Sequence, residues 1–102
     1  MTTLHMIASS AHSRSGMSDC LSLLGPDDAV VLIEEGVLAL SQPGMDILQA
    51  LKTRLRSGDH LYFVRDHLVA RGLPDGIAGW QAIDMDRLVD LHCEFDKSLT
   101  WY

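Results

Sequence analysis

The amino-acid sequence predicts an α/β fold: a small doubly wound, mostly parallel sheet of four to five strands with helices on both faces. Three observations predict it. Short apolar runs alternate with stretches whose apolar residues recur at helical spacing. The runs carry Val, Ile and Leu at consecutive positions, as strands buried on both faces require. Each link between runs is long enough for a right-handed crossover. With 102 residues, 47% of them hydrophobic, the chain reads as one domain, residues 1–102, with one modest core and little spare surface for an internal cleft.

Residues 4–7 form the first apolar run, with His5 inside it. A histidine there reads as a hydrogen-bonded buried side chain rather than a catalyst. Residues 9–15 are polar and read as a loop in which Ser13 or Ser15 is placed to cap a helix. Met17, Cys20, Leu21 and Leu24 then follow helical spacing, and Gly25-Pro26 ends that helix.

The stretch 28–37, Asp-Ala-Val-Val-Leu-Ile-Glu-Glu-Gly-Val, organises the chain. It predicts a second strand over 29–34, with Gly36 supplying a positive φ for a sharp turn. The carboxyl end of such a strand is where α/β proteins place function. Glu34 and Glu35 read as solvating that end. Adjacent carboxylates on a strand point to opposite faces and do not converge on one substrate.

Residues 37–40 suit one helical turn, broken by Ser41-Gln42-Pro43-Gly44. Ile47, Leu48, Leu51 and Leu55 mark a second helix, with Lys52, Arg54 and Arg56 near its C-terminal end, and Ser57-Gly58-Asp59 stops it. A third strand covers 61–64. Asp66 is expected to cap a short helix over 67–71, closed by Gly72, and Pro74-Asp75-Gly76 makes a loop. A fourth strand covers 80–83. Asp84 is expected to cap a last helix in which Met85, Leu88, Val89, His92, Phe95 and Leu99 share one stripe. Trp101 and Tyr102 either fold back onto the domain, against that helix, or pack on a partner. Both types are enriched in interface cores, and a partner contact is the expectation taken here.

Composition and missing motifs exclude several classes. The net charge of −6 argues against nucleic acid and anionic membranes as direct partners. No apolar run approaches the roughly 20 residues that span a bilayer, and no secretory signal pattern is visible. GxGxxG, GxxxxGK[ST] and GxSxG are absent, and the five histidines lack zinc-site spacing, so neither metal nor cofactor is expected.

Cys20 and Cys93 lie far apart, as free thiols of a reducing compartment do. A Cys20 thiolate would be able to take up and pass on persulfide sulfur. Its apolar stripe argues instead for a small core hydrophobe. Cys93 follows His92 directly, and helix neighbours at i and i+1 do not face each other, so the two are not a dyad. Cys93 too reads as core.

Several segments together resemble the DsrH/TusB family of sulfur-relay subunits: Leu4-His5-Met6-Ile7, residues 20–24, residues 28–37, Asp66 with Leu68 and Ala70-Arg71-Gly72-Leu73, Ile83-Asp84, Leu88-Val89-Asp90-Leu91, and Trp101. The resemblance implies a cytoplasmic subunit working with two homologous chains, DsrE/TusD-like and DsrF/TusC-like, as a heterohexamer. It implies transfer of persulfide sulfur to a DsrC/TusE-like carrier, with the principal cysteine on the DsrE/TusD-like chain. TusB-type members serve tRNA 2-thiouridine formation. DsrH-type members serve sulfur oxidation and carry a cysteine in the first helix, a position Cys20 fits.

The expectation is therefore a DsrH-type sulfurtransferase subunit with Cys20 as candidate persulfide carrier. A structural subunit that leaves the chemistry to its siblings is the competing class. A flavin-binding module stands behind both, testable by absorbance. Loop 9–16 matches no family motif.

Overall fold

A computed structural model describes residues 2–10, 15–42, 46–74 and 79–102. The expected Ser13 cap, the Pro43-Gly44 break and the Asp75-Gly76 loop lie outside these residues.

The chain runs β1 (Thr3–Ile7), α1 (Gly16–Leu23), β2 (Ala29–Leu32), a 3₁₀ segment (Glu34–Ser41), α2 (Asp46–Arg54), β3 (Leu61–Val64), α3 (Arg65–Ala70), β4 (Gln81–Ile83), α4 (Met85–Glu94) and β5 (Lys97–Trp101). The strands form one sheet in the order β4-β3-β2-β1-β5, and every pair in it is parallel. The predicted fold class is what the structure has.

Strand alternation splits the core into two layers. Ile7, Val30, Leu32, Leu61 and Phe63 face α1 and α2, where Met17, Cys20, Leu24, Leu48, Leu51 and Leu55 cover them. Leu4, Ala29, Val31, Tyr62, Val64 and Ile83 face the other way, under Leu88 and Leu91 of α4. β2 and β3 are buried at every position, which is why their sequences carry no polar alternation.

The last helix ends earlier than its periodicity suggests. Phe95 is extended, and Lys97–Trp101 pairs with β1 as a fifth strand. Leu99 therefore lies on a strand, opposite His5. Within α4 the buried pair is Leu88 and Leu91, while Met85, Val89 and His92 are exposed. Packing on the sheet chose a different 3.6-period line from the one the apolar count favoured. The same strand corrects the expectation for the chain end. Trp101 pairs with the chain's own β1 and packs on the α1 side of the core rather than on the last helix, while Tyr102 is exposed.

Capping follows the sequence only in part. Asp84 caps α4, its Oδ1 accepting the Arg87 N–H at 2.8 Å. Ser15 holds the cap position of α1, but its hydroxyl donates to Asp19 Oδ2 at 3.0 Å. Asp66 does not cap α3. It sits in the first turn, and Val64 holds the cap position.

Gly36 has no positive φ. That conformation falls on Glu34, with φ 47°. Glycine is required at 36 for a different reason: a Cβ there would collide with the Ile7 carbonyl oxygen at the end of β1. Gly72, at φ 70°, closes α3 as expected.

Candidate functional site

The β1-to-β2 connection places α1 on one layer, and the β4-to-β5 connection places α4 on the other. The winding thus reverses between β1 and β5, the place where open α/β sheets gather functional groups. His5 and Trp101 sit on these two strands, on the α1 side.

Asp28, just ahead of β2, anchors the group. Its Oδ1 accepts the Thr3 N–H at 2.9 Å, and its Oδ2 accepts the Gly25 N–H at 2.8 Å. His5 Nε2 lies 3.0 Å from the same Oδ2. The Trp101 indole N–H reaches His5 Nδ1 at 3.0 Å, with the two rings stacked. An indole can only donate, so His5 Nδ1 accepts and Nε2 carries the proton that goes to Asp28. The line Trp101 to His5 to Asp28 sets a neutral imidazole in one tautomer and engages both of its nitrogens. Burial alone would raise the Asp28 carboxyl, but the hydrogen bonds from Gly25, His5 and Thr3 outweigh it and hold the group below its ordinary range. This is a satisfied buried network joining β5, β1 and the start of β2, in line with the reading of His5 as a bonded core histidine.

Cys20 lies in α1, fully buried. Burial first, and the Asp28 carboxylate second, push its thiol up to about 12. In this conformation it is a protonated thiol among apolar side chains, whereas sulfur transfer needs a thiolate. Cys93 is exposed on α4, contrary to its expected place in the core. The structure does not bring the two sulfurs into a disulfide.

A second cluster stands at the carboxyl ends of β2 and β3. The Glu34 N–H donates to His67 Nδ1 at 2.9 Å. Arg71 donates through Nη2 and Nε to Glu35 Oε1, at 3.0 and 3.2 Å, and through Nη1 to the His67 carbonyl at 3.1 Å. The expected strand over 29–34 ends at Leu32, so Glu34 and Glu35 open the 3₁₀ segment instead of alternating across a strand, and of the two only the Glu35 contact runs through its carboxylate. His67 was not legible as a participant, because nothing in the sequence shows that α3 packs on the 3₁₀ segment. Ser9 was missed too: its buried hydroxyl has no hydrogen-bond partner among the described residues, and lies 3.1 Å from where a Cβ on Gly16 would sit. Among the described residues there is no pocket, and no group of three His, Cys, Asp or Glu is placed to hold a metal ion.

Fold and site together define a small parallel α/β domain in which buried His5 and Asp28 tie β5, β1 and the start of β2 together. The chain belongs to the DsrH-like family: the family model for DsrH like protein matches residues 9–98. The crystal structure of the ychN protein from E. coli is similar in fold, with a TM-score of 0.69 at 17% identity, covering 98% of this chain and 99% of that one. A search of curated proteins finds no match. Among the described residues no helix is long and apolar enough to cross a membrane.

Proposed function

We propose that the chain is a DsrH-type subunit of a cytoplasmic sulfur-relay complex, assembled with DsrE/TusD-like and DsrF/TusC-like homologous subunits as a heterohexamer. The observation that carries this reading is the family match over residues 9–98. The complex hands persulfide sulfur to a DsrC/TusE-like carrier. In each transfer an acceptor thiolate attacks the outer sulfur of R–S–S⁻, forming acceptor–S–S⁻ and releasing R–S⁻, with no net oxidation.

Within the complex the chain acts first as a structural subunit, with the principal cysteine on a sibling. The buried, protonated Cys20 thiol and the fully engaged His5 support this division of labour. The second reading keeps Cys20 as a persulfide carrier, favoured by its position in the first helix beside the winding reversal. It requires α1 to open. The pathway follows the same residue: a first-helix cysteine supports sulfur oxidation over the tRNA 2-thiouridine role of TusB-type members.

The test is co-expression with both sibling chains, native mass spectrometry, loading with a persulfide donor, and alkylation. A stoichiometric complex with sulfur on a sibling cysteine is expected. A chain that never associates with them sinks the proposal. A persulfide on Cys20 that disappears in Cys20→Ser selects the second reading.

A further inference from the structure

The layer opposite α1 and α2 is thinly covered. Among the described residues α4 is the helix that packs there, through Leu88, Leu91 and the adjoining Phe95. A helix is about 10 Å across, whereas five strands span roughly 24 Å. Met6 of β1 and Ile33 beyond β2 are accordingly only partly buried in that layer.

The outward side of α4 carries two parallel lines. Met85, Val89 and Cys93 recur every fourth residue, and Met85 and Val89 are 49% and 60% exposed. Asp86, Asp90 and Glu94 recur at the same interval beside them, all exposed. Arg87 is the helix's Lys or Arg, and it is already bonded to Glu94. A lone exposed apolar side chain needs no explanation, but an apolar line edged by a carboxylate line has the make-up of a docking seam.

We propose that this face of α4 docks a protein segment whose apolar ridge is edged by Lys and Arg. Charge decides the occupant. A second copy meeting through α4 would set carboxylates against carboxylates in a chain of net charge −6. Nucleic acid and anionic membranes carry the wrong sign as well. Only the partner's identity rests on the sulfur-relay reading; the chemistry of the seam does not.

The test uses the full chain, isotopically labelled, and two synthetic helical peptides of about 15 residues, one patterned with Leu and Lys and the other with Leu and Glu at the same spacing. The Leu/Lys peptide is expected to shift amide resonances along α4, to slow Cys93 alkylation by iodoacetamide about tenfold at saturation, and to weaken with salt. The Leu/Glu peptide is expected to leave both the resonances and the alkylation rate unchanged. Val89→Lys and the pair Asp86→Lys/Asp90→Lys should each weaken binding about tenfold, with Tm within roughly 3 °C of the parent. Equal binding of the two peptides, shifts away from α4, or variants that bind like the parent would overturn the proposal. Because no sibling subunit is used, its failure is separable from failure of the relay assembly.

Discussion

Asp28 shows how one carboxylate can determine where a strand begins. Three donors converge on it: two backbone N–H groups and His5. Its folded pKa is lowered, so the stability it contributes is fully present above the unfolded Asp value of about 3.9 and is lost as pH falls through the folded value. Asp28→Asn should cost about 2 kcal/mol near neutrality. The Tm gap to the parent should stay constant above about pH 5 and narrow below about pH 4. A gap that does not narrow would mean that charge is not what the site uses. Cys20 makes a second prediction at this scale. With its thiol pushed up to about 12, alkylation of the native chain at mildly alkaline pH should modify Cys93 and spare Cys20 until denaturant is added. Fast native labelling of Cys20 would show that α1 opens readily and would favour the carrier reading. Gly36→Ala forces a methyl onto the Ile7 carbonyl and should cost about 2–3 kcal/mol, measured by urea unfolding.

Among the elements, β5 does the most to close the structure. It adds an edge strand beside β1, and its last residue sends an indole N–H to His5 while its carbonyl accepts the Ala8 N–H at 2.9 Å. Removing Trp101 and Tyr102 should therefore lower the Tm of the isolated chain by roughly 10 °C, on a loss of about 2 kcal/mol. Trp101→Phe keeps most of the area but leaves His5 Nδ1 unpaired, and should cost about 1 kcal/mol. An unchanged Tm after truncation would place the tail's role in a partner contact instead. The turn after β2 offers the opposite case. Glu34 holds φ 47°, where an L side chain costs about 1–2 kcal/mol, and Glu34→Gly keeps the backbone N–H that His67 accepts. That change should stabilise the chain by about 0.5–1 kcal/mol, after glycine's added unfolded-state entropy is subtracted.

At the scale of the whole molecule, α1, α2, the 3₁₀ segment and Leu68 of α3 pack on one layer of the sheet, and among the described residues α4 is the one helix that packs on the other. A parallel sheet is stable only when both faces are covered, so the thin layer is the natural place for another chain to add burial. A partner that binds the folded state alone raises its apparent stability. The Tm of this chain should therefore rise in the presence of the proposed sibling subunits, by an amount that grows with their concentration. Mixing that leaves the Tm unchanged across the concentration range would count against assembly.

The sequence by itself determined the parallel α/β class, four of the five strands, the Asp84 cap, the Gly72 helix end and the bonded, buried character of His5. Those features follow from local periodicity, from capping chemistry and from the cost of burying an unpaired polar group, all of which act within a few residues. Only the tertiary structure decided that residues 97–101 form a strand, because an exposed edge strand needs little apolar sequence and gains its hydrogen bonds from a neighbour 94 positions away. Only it decided that Gly36 serves a close approach to β1 rather than a positive φ, that Trp101 sets the tautomer of His5, and that α4 buries Leu88 and Leu91 while turning Val89 outward. Each of these depends on which surface a residue meets, and a helix with apolar residues on two lines does not say which line faces the sheet.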